Sequence, residues 1–437
     1  MGKSQELYIK AKQIIPTGTE LLSKRPEMFL PDLWPAYYSR AKGCEVWDLD
    51  DNHYYDFAQM GVGSCTLGYA NESVNSAVIN AIEKGSMCTL NSYEEVQLAE
   101  KLISMHPWAE CARFARTGGE ACAIAVRIAR AATGRSKIAF CGYHGWSDWY
   151  ISANVNDNTR LDAQLLPGLD PAGVPHELAH TAIPFLYNDL SSLIKVVEKY
   201  PNEIAAIMME PMRGEPLADG FLEGVRKIAD KIGAVLIFDE VTAGFRLCIG
   251  GIHKVLGVDP DMAVFGKALG NGFPITAVIG RKNIMNAAEK SFISSTFWTE
   301  RIGFVAGVAT LNEMEKINSP SALIKYGDRI KYILVSLAQK YSLNLLVSHI
   351  SPLTHIDWGY ENGLEIQTLY AQIMLEKGFL VSSAIYSCTA YTDNIIDSFA
   401  EATDSAFAVM KEALLKGNVR DLLKGTVKQS GFARLVK

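Results

Sequence analysis

Between about residues 72 and 280, stretches with apolar residues at three- and four-residue spacing alternate with short, unbroken apolar runs bounded by turns. The spaced pattern gives a helix one apolar face, and the unbroken run suits a strand covered on both sides. Helices are expected over Glu72–Lys84, Glu95–Ser104, Glu120–Ala132 and Phe221–Lys231. Strands are expected over Ala112–Ala115, Lys137–Cys141, Ala205–Met209, Ala234–Phe238, Met262–Phe265 and Ile275–Ile279. Alternation of this kind predicts an α/β layer with a mostly parallel sheet flanked by helices.

The flanks read differently. A polar helix opens the chain, and the short alternating runs Ala36–Ser39, Glu45–Leu49 and Tyr54–Phe57 predict a small antiparallel meander. After about residue 318 the pattern is mixed, with helices expected at 320–341, 364–377 and 394–416. The expected organisation is a large α/β domain over 56–317 and a smaller α+β domain built from 1–55 and 318–437.

The chain of 437 residues is 49% hydrophobic and 21% charged, so a sizeable core and folding throughout are expected. A net charge of −6, with both signs mixed along the chain, offers no extended positive field for nucleic acid or anionic lipid, which leaves a small-molecule partner as the default. Apolar runs such as Ile204–Met209 fall far short of the roughly 18 residues of a membrane span. The N-terminus has neither the apolar core of a signal peptide nor the hydroxyl residue myristoylation needs, so a cytoplasmic location is expected. The cysteines are scattered without a C-x-x-C pair and are read as reduced, buried thiols.

Three strand ends carry the chemistry, and in an open α/β sheet ligands sit beyond the carboxyl ends of strands. Arg116-Thr117-Gly118-Gly119-Glu120 follows one strand and opens a helix, where free N–H groups and the helix dipole can hold an anion and glycines allow close approach. The Thr117 hydroxyl can add a donor, although Gly-Gly before a helix is by itself often only a turn. Ile237-Phe238-Asp239-Glu240 ends an apolar strand in carboxylates, which burial penalises unless a cation or hydrogen bonds answer them. A protonated pyridine nitrogen would answer Asp239, and a surface acidic pair is the plainer alternative. Phe265-Gly266-Lys267 sets an amine among apolar and glycine residues, where it is poised to lose its proton.

The set Arg-Thr-Gly-Gly-Glu-Ala, Gly-Tyr-His-Gly-Trp, Phe-Asp-Glu-Val-Thr-Ala-Gly-Phe-Arg, Phe-Gly-Lys-Ala-Leu-Gly-Asn-Gly-Phe-Pro and Ser-Ser-Thr-Phe-Trp resembles the class III aminotransferases over essentially the whole chain, most nearly their glutamate-1-semialdehyde aminomutase branch. The resemblance implies a fold type I transferase with a seven-stranded sheet, and pyridoxal 5'-phosphate as cofactor. It places Lys267 on the Schiff-base lysine, Asp239 on the ring-nitrogen partner and Val241 on the residue against one ring face. Tyr143 falls on the aromatic of the other face, with His144 beside it. Gly118 and Gly119 fall on the phosphate loop, and Thr296 on the threonine that reaches the phosphate of a neighbouring subunit, which implies a homodimer. Glu210, ending its strand, is a candidate for the ring's hydroxyl side. The implied activity is ping-pong transfer between an amino donor and a small aldehyde, keto or sugar-like acceptor; similar sequences often accompany surface-polysaccharide genes. The alternative is an intramolecular aminomutase.

The chain departs from the family pattern at Gly119, where a hydroxyl residue is common, after Thr296, and at Thr19–Arg25. Lys24, Arg25 and Arg246 are candidates to grip a substrate anion, and Trp146 and Trp149 to line the pocket. His176-Glu177-Leu178-Ala179-His180 matches the H-E-x-x-H zinc motif, but the prolines at 175 and 184 leave at most two helical turns for it, so no metal is expected. No G-x-G-x-x-G follows a strand and no phosphate-binding G-x-x-x-x-G-K-[ST] is present.

Overall fold

A computed structural model describes residues 2–164 and 167–431. The chain divides into two compact units, one of residues 72–320 and one of residues 2–71 with 321–430. Residues 432–437 of the expected smaller domain lie outside the described residues.

The larger unit is built on a seven-stranded sheet. Its strands lie in the order Cys111–Ala115, Thr276–Gly280, Met262–Phe265, Val235–Asp239, Ile204–Met209, Lys137–Cys141 and Ala182–Pro184. Thr276–Gly280 runs antiparallel to both of its neighbours, and the remaining pairs are parallel. The central strands Ile204–Met209, Val235–Asp239 and Met262–Phe265 are buried at every position, as unbroken apolar runs require. Helices close both faces. Gly118–Thr133 buries its alanine- and isoleucine-rich stripe against one, and Leu190–Lys199 with Phe221–Ile232 pack on the other.

The six expected strands are present to within a residue at either end. Ala182–Pro184 is an addition: three residues are too few to show a period in the sequence. The helix expected from Glu120 begins at Gly118, so both glycines stand inside its first turn. A helix at Arg301–Ile317, absent from the sequence reading, packs on Glu72–Glu83 and Glu94–Met105.

In the smaller unit, Tyr38–Lys42, Glu45–Asp48 and His53–Phe57 form the antiparallel meander, extended by Phe379–Val381 in parallel. A second sheet joins Leu345–Val347, Leu353–Trp358 and Ala384–Tyr386. Helices Ser319–Tyr341, Gly363–Glu376 and Asp393–Lys416 complete it. Its core stacks Phe57 on Phe399 at 4.2 Å.

Candidate active site

Five carboxyl ends of sheet strands supply the site, as an open α/β sheet dictates. The strand ending at Asp239 delivers a carboxylate that is 5% exposed. Three donors answer it: His144 Nδ1 at 2.8 Å, the Val241 N–H at 3.1 Å and the Cys122 thiol at 3.4 Å. His144 is itself buried, and its Nε2 lies 3.2 Å from the Cys141 carbonyl. Both ring nitrogens therefore face oxygen atoms, which fixes the ring's orientation. The Cys122 thiol is driven well above its usual pKa by burial and by the Asp239 carboxylate, so it stays protonated and donates. Ligand atoms of Cys122, His144 and Asp239 lie within 4.8 Å of one another, a spacing a metal could use. The hydrogen bonds joining them already satisfy all three, and a protonated thiol is a poor metal ligand.

Lys267 follows the strand Met262–Phe265 through Gly266 and takes a left-handed conformation, φ 45°, at the start of a short 3-10 turn. A side chain rarely adopts this, and such strain collects at functional positions. Its Nζ donates to Thr242 Oγ1 at 2.9 Å. Burial first and the Arg246 guanidinium second bring its pKa down to about 8, while Glu210 and Asp239 pull the other way. Lys267 and Asp239 thus share one electrostatic environment, with the amine held inside the protein.

Val241 occupies the space between the other parts. A Cβ on Gly118 would sit 3.4 Å from its Cγ1, and one on Gly266 3.5 Å from the same atom. The valine therefore lies between the helix start and the lysine turn. Thr117 is the N-cap of Gly118–Thr133, and its hydroxyl is committed to a capping box with Glu120. The backbone of Gly118 and Gly119 is what remains at that helix end to meet an anion.

The loop after Cys141 needs its glycines. Gly142 has φ 112°, and a Cβ there would come within 2.5 Å of a Glu210 oxygen. Gly145 has φ 101°, and a Cβ there would come within 2.7 Å of the Gly119 Cα. Their absence of side chains lets Tyr143 N–H reach Glu210 at 3.3 Å and lets Trp146 lie over Gly119. Tyr143 stands partly exposed at this rim, edge-on to Tyr150. Burial raises the Glu210 pKa, against the nearby Arg213 at 3.5 Å.

Thr296 is exposed at the start of the 3-10 turn Thr296–Thr299, and Trp298 of that turn donates to Glu120 at 3.2 Å. Trp146 is exposed and Trp149 buried beside His144. The candidate cations Arg25 and Arg246 are buried, donating to the Thr17 and Thr242 carbonyls. The H-E-x-x-H segment forms only a 3-10 turn over His176–Leu178, and His180, with φ 64°, lies beyond it. The two histidines do not share the helix face that motif needs. Cys122, Thr242 and Arg213 were not singled out in the sequence. A buried carboxylate signals that donors must exist, but not which elements bring them.

The residues fit pyridoxal phosphate on the chemistry of their donor set: a low-pKa amine, a buried carboxylate rich in donors and a glycine-lined helix start. This is a fold type I pyridoxal-phosphate enzyme. The Aminotransferase class-III description matches residues 31–351, and the chain belongs to that family. It is 36% identical over 325 residues to the 3-aminobutyryl-CoA aminotransferase of Cloacimonas acidaminovorans, covering 72% of this chain and 74% of that one. It is 32% identical to the glutamate-1-semialdehyde 2,1-aminomutase of Methanocaldococcus jannaschii, covering 93% and 98%. Among solved structures, the FumI protein of Sphingopyxis sp. MTA144 in its PLP internal aldimine form superposes with a TM-score of 0.86 at 28% identity, covering 95% and 98%.

Proposed function

We propose that this enzyme moves an amino group between an amino donor and a small aldehyde, keto or sugar-like acceptor in two half-reactions. The observation that carries the proposal is the Lys267 amine, set in the same electrostatic environment as the three-donor Asp239 carboxylate. When bound, the cofactor supplies a carbonyl for amines and a ring that withdraws electrons from the bond being broken. Lys267 holds it at rest and, once released, its neutral Nζ takes and returns the substrate's proton, steadied by Thr242. Asp239 keeps the ring nitrogen protonated, with His144 and Cys122 fixing the carboxylate's direction. Val241 and Tyr143 would flank the ring, Glu210 would face its hydroxyl side, and the Gly118 and Gly119 amides would meet the phosphate, with Thr117 fixing their helix start through its capping box. Thr296 would reach the phosphate held by a second copy, so the working unit in this reading is a homodimer.

The polysaccharide setting of similar sequences favours a sugar-like or small aldehyde acceptor. The aminomutase relative supports a second reading, in which one compound is both donor and acceptor. Incubating single amino compounds with the enzyme and following them by mass separates the two: transfer needs a second compound, and isomerisation does not. A donor and acceptor screen read by the cofactor's absorbance tests the first reading, and product from one compound alone contradicts it.

A further inference from the structure

The smaller unit, which carries none of the residues assigned above to chemistry, holds a cavity of about 480 Å³. That volume is in the range of metabolite pockets. Lys428 lines it and is only 8% exposed, although lysines are ordinarily solvated. Among the described residues it makes no ion pair, and burial lowers its pKa despite the Asp357 charge nearby. Gln367, 4% exposed, shares the wall. Its Oε1 accepts from Trp358 Nε1 at 2.8 Å, but among the described residues its Nε2 has no partner. The 14-residue helix Gly363–Glu376 also starts at this wall, and its N-cap Asn362 supplies no side-chain cap.

A buried ammonium that no carboxylate contacts as an ion pair is costly, as is an unpaired buried amide donor. With the positive end of a helix beside them, what this wall lacks is an acceptor in contact with its two donors, a role a carboxylate fills. Asp357 and Glu361 line the same cavity and would answer an amine. We propose that the cavity is a second binding site for a small amino acid, its carboxylate held by Lys428 and Gln367 and its ammonium by the two acidic residues. This assignment does not depend on the reaction at Lys267.

The test is site-resolved. Holoenzyme is treated with a small acylating reagent, and labelling of Lys428 is followed by peptide mass spectrometry with and without about 10 mM glutamate, a concentration that saturates a site of millimolar affinity. Glutamate should slow labelling of Lys428 about tenfold, cadaverine should not, and Gln367→Leu should lose the protection while keeping turnover. Equal labelling rates with and without glutamate, or equal protection by cadaverine, would overturn the proposal.

Discussion

His144 Nδ1 lies 2.8 Å from the Asp239 carboxylate, and both residues are buried. Removing the charge of Asp239 while keeping its shape, as in Asp239→Asn, is expected to lower kcat by about 10²-fold or more, the usual scale for losing a preorganised electrostatic group. His144→Asn should lose less and retain the cofactor. Steady-state kinetics with cofactor content measured alongside checks both.

Cys122 separates a hydrogen-bonding role from a packing role. Cys122→Ser keeps a donor toward Asp239 and is expected to keep near-normal cofactor spectra; Cys122→Val fills the space without donating and should shift the pH titration of the bound cofactor's absorbance. Identical titrations for the two variants would leave Cys122 as packing alone.

Lys267 must be neutral to capture an aldehyde. Its pKa of about 8, lowered by burial and Arg246, predicts that uptake of pyridoxal phosphate by the apoenzyme accelerates with rising pH, with a midpoint near 8. Stopped-flow absorbance across pH 6 to 10 reads this directly. A solvated lysine would place the midpoint near its ordinary value of 10.5.

Much of this site was legible because chemistry and pattern coincide: an apolar strand that stops at Asp239 and one that stops before Lys267 announce their own ends. The glycines at 118 and 119 were legible as the approach to a helix, but not as its first turn, because the capping box formed by Thr117 and Glu120 decides where it starts. Arg246 looked like a substrate grip in sequence, yet it is buried and donates to a carbonyl four residues before it. Charge type is visible in a sequence; the direction a side chain takes depends on packing from distant elements.

Acid should weaken the fold in two stages. His106 donates from Nδ1 to Leu102 and accepts the Gly251 N–H at Nε2, so it must be neutral, and burial lowers its pKa to about 4. Its contribution is complete above about 6.5, the unfolded value, and is lost as pH falls to about 4. For Glu94, burial acts against the charge, but hydrogen bonds from Arg301 and Ser92 outweigh it and hold the pKa near 2, so stability is lost from 4.5 down to about 2. Tm measured against pH should fall in these two windows, and His106→Gln should remove the first.

The most direct measurement is borohydride reduction of the holoenzyme followed by peptide mapping. The account predicts a pyridoxyl phosphate mass on Lys267 and no such adduct on the same peptide of Lys267→Ala. An adduct on a different lysine of the wild-type enzyme, or none at all, would contradict it.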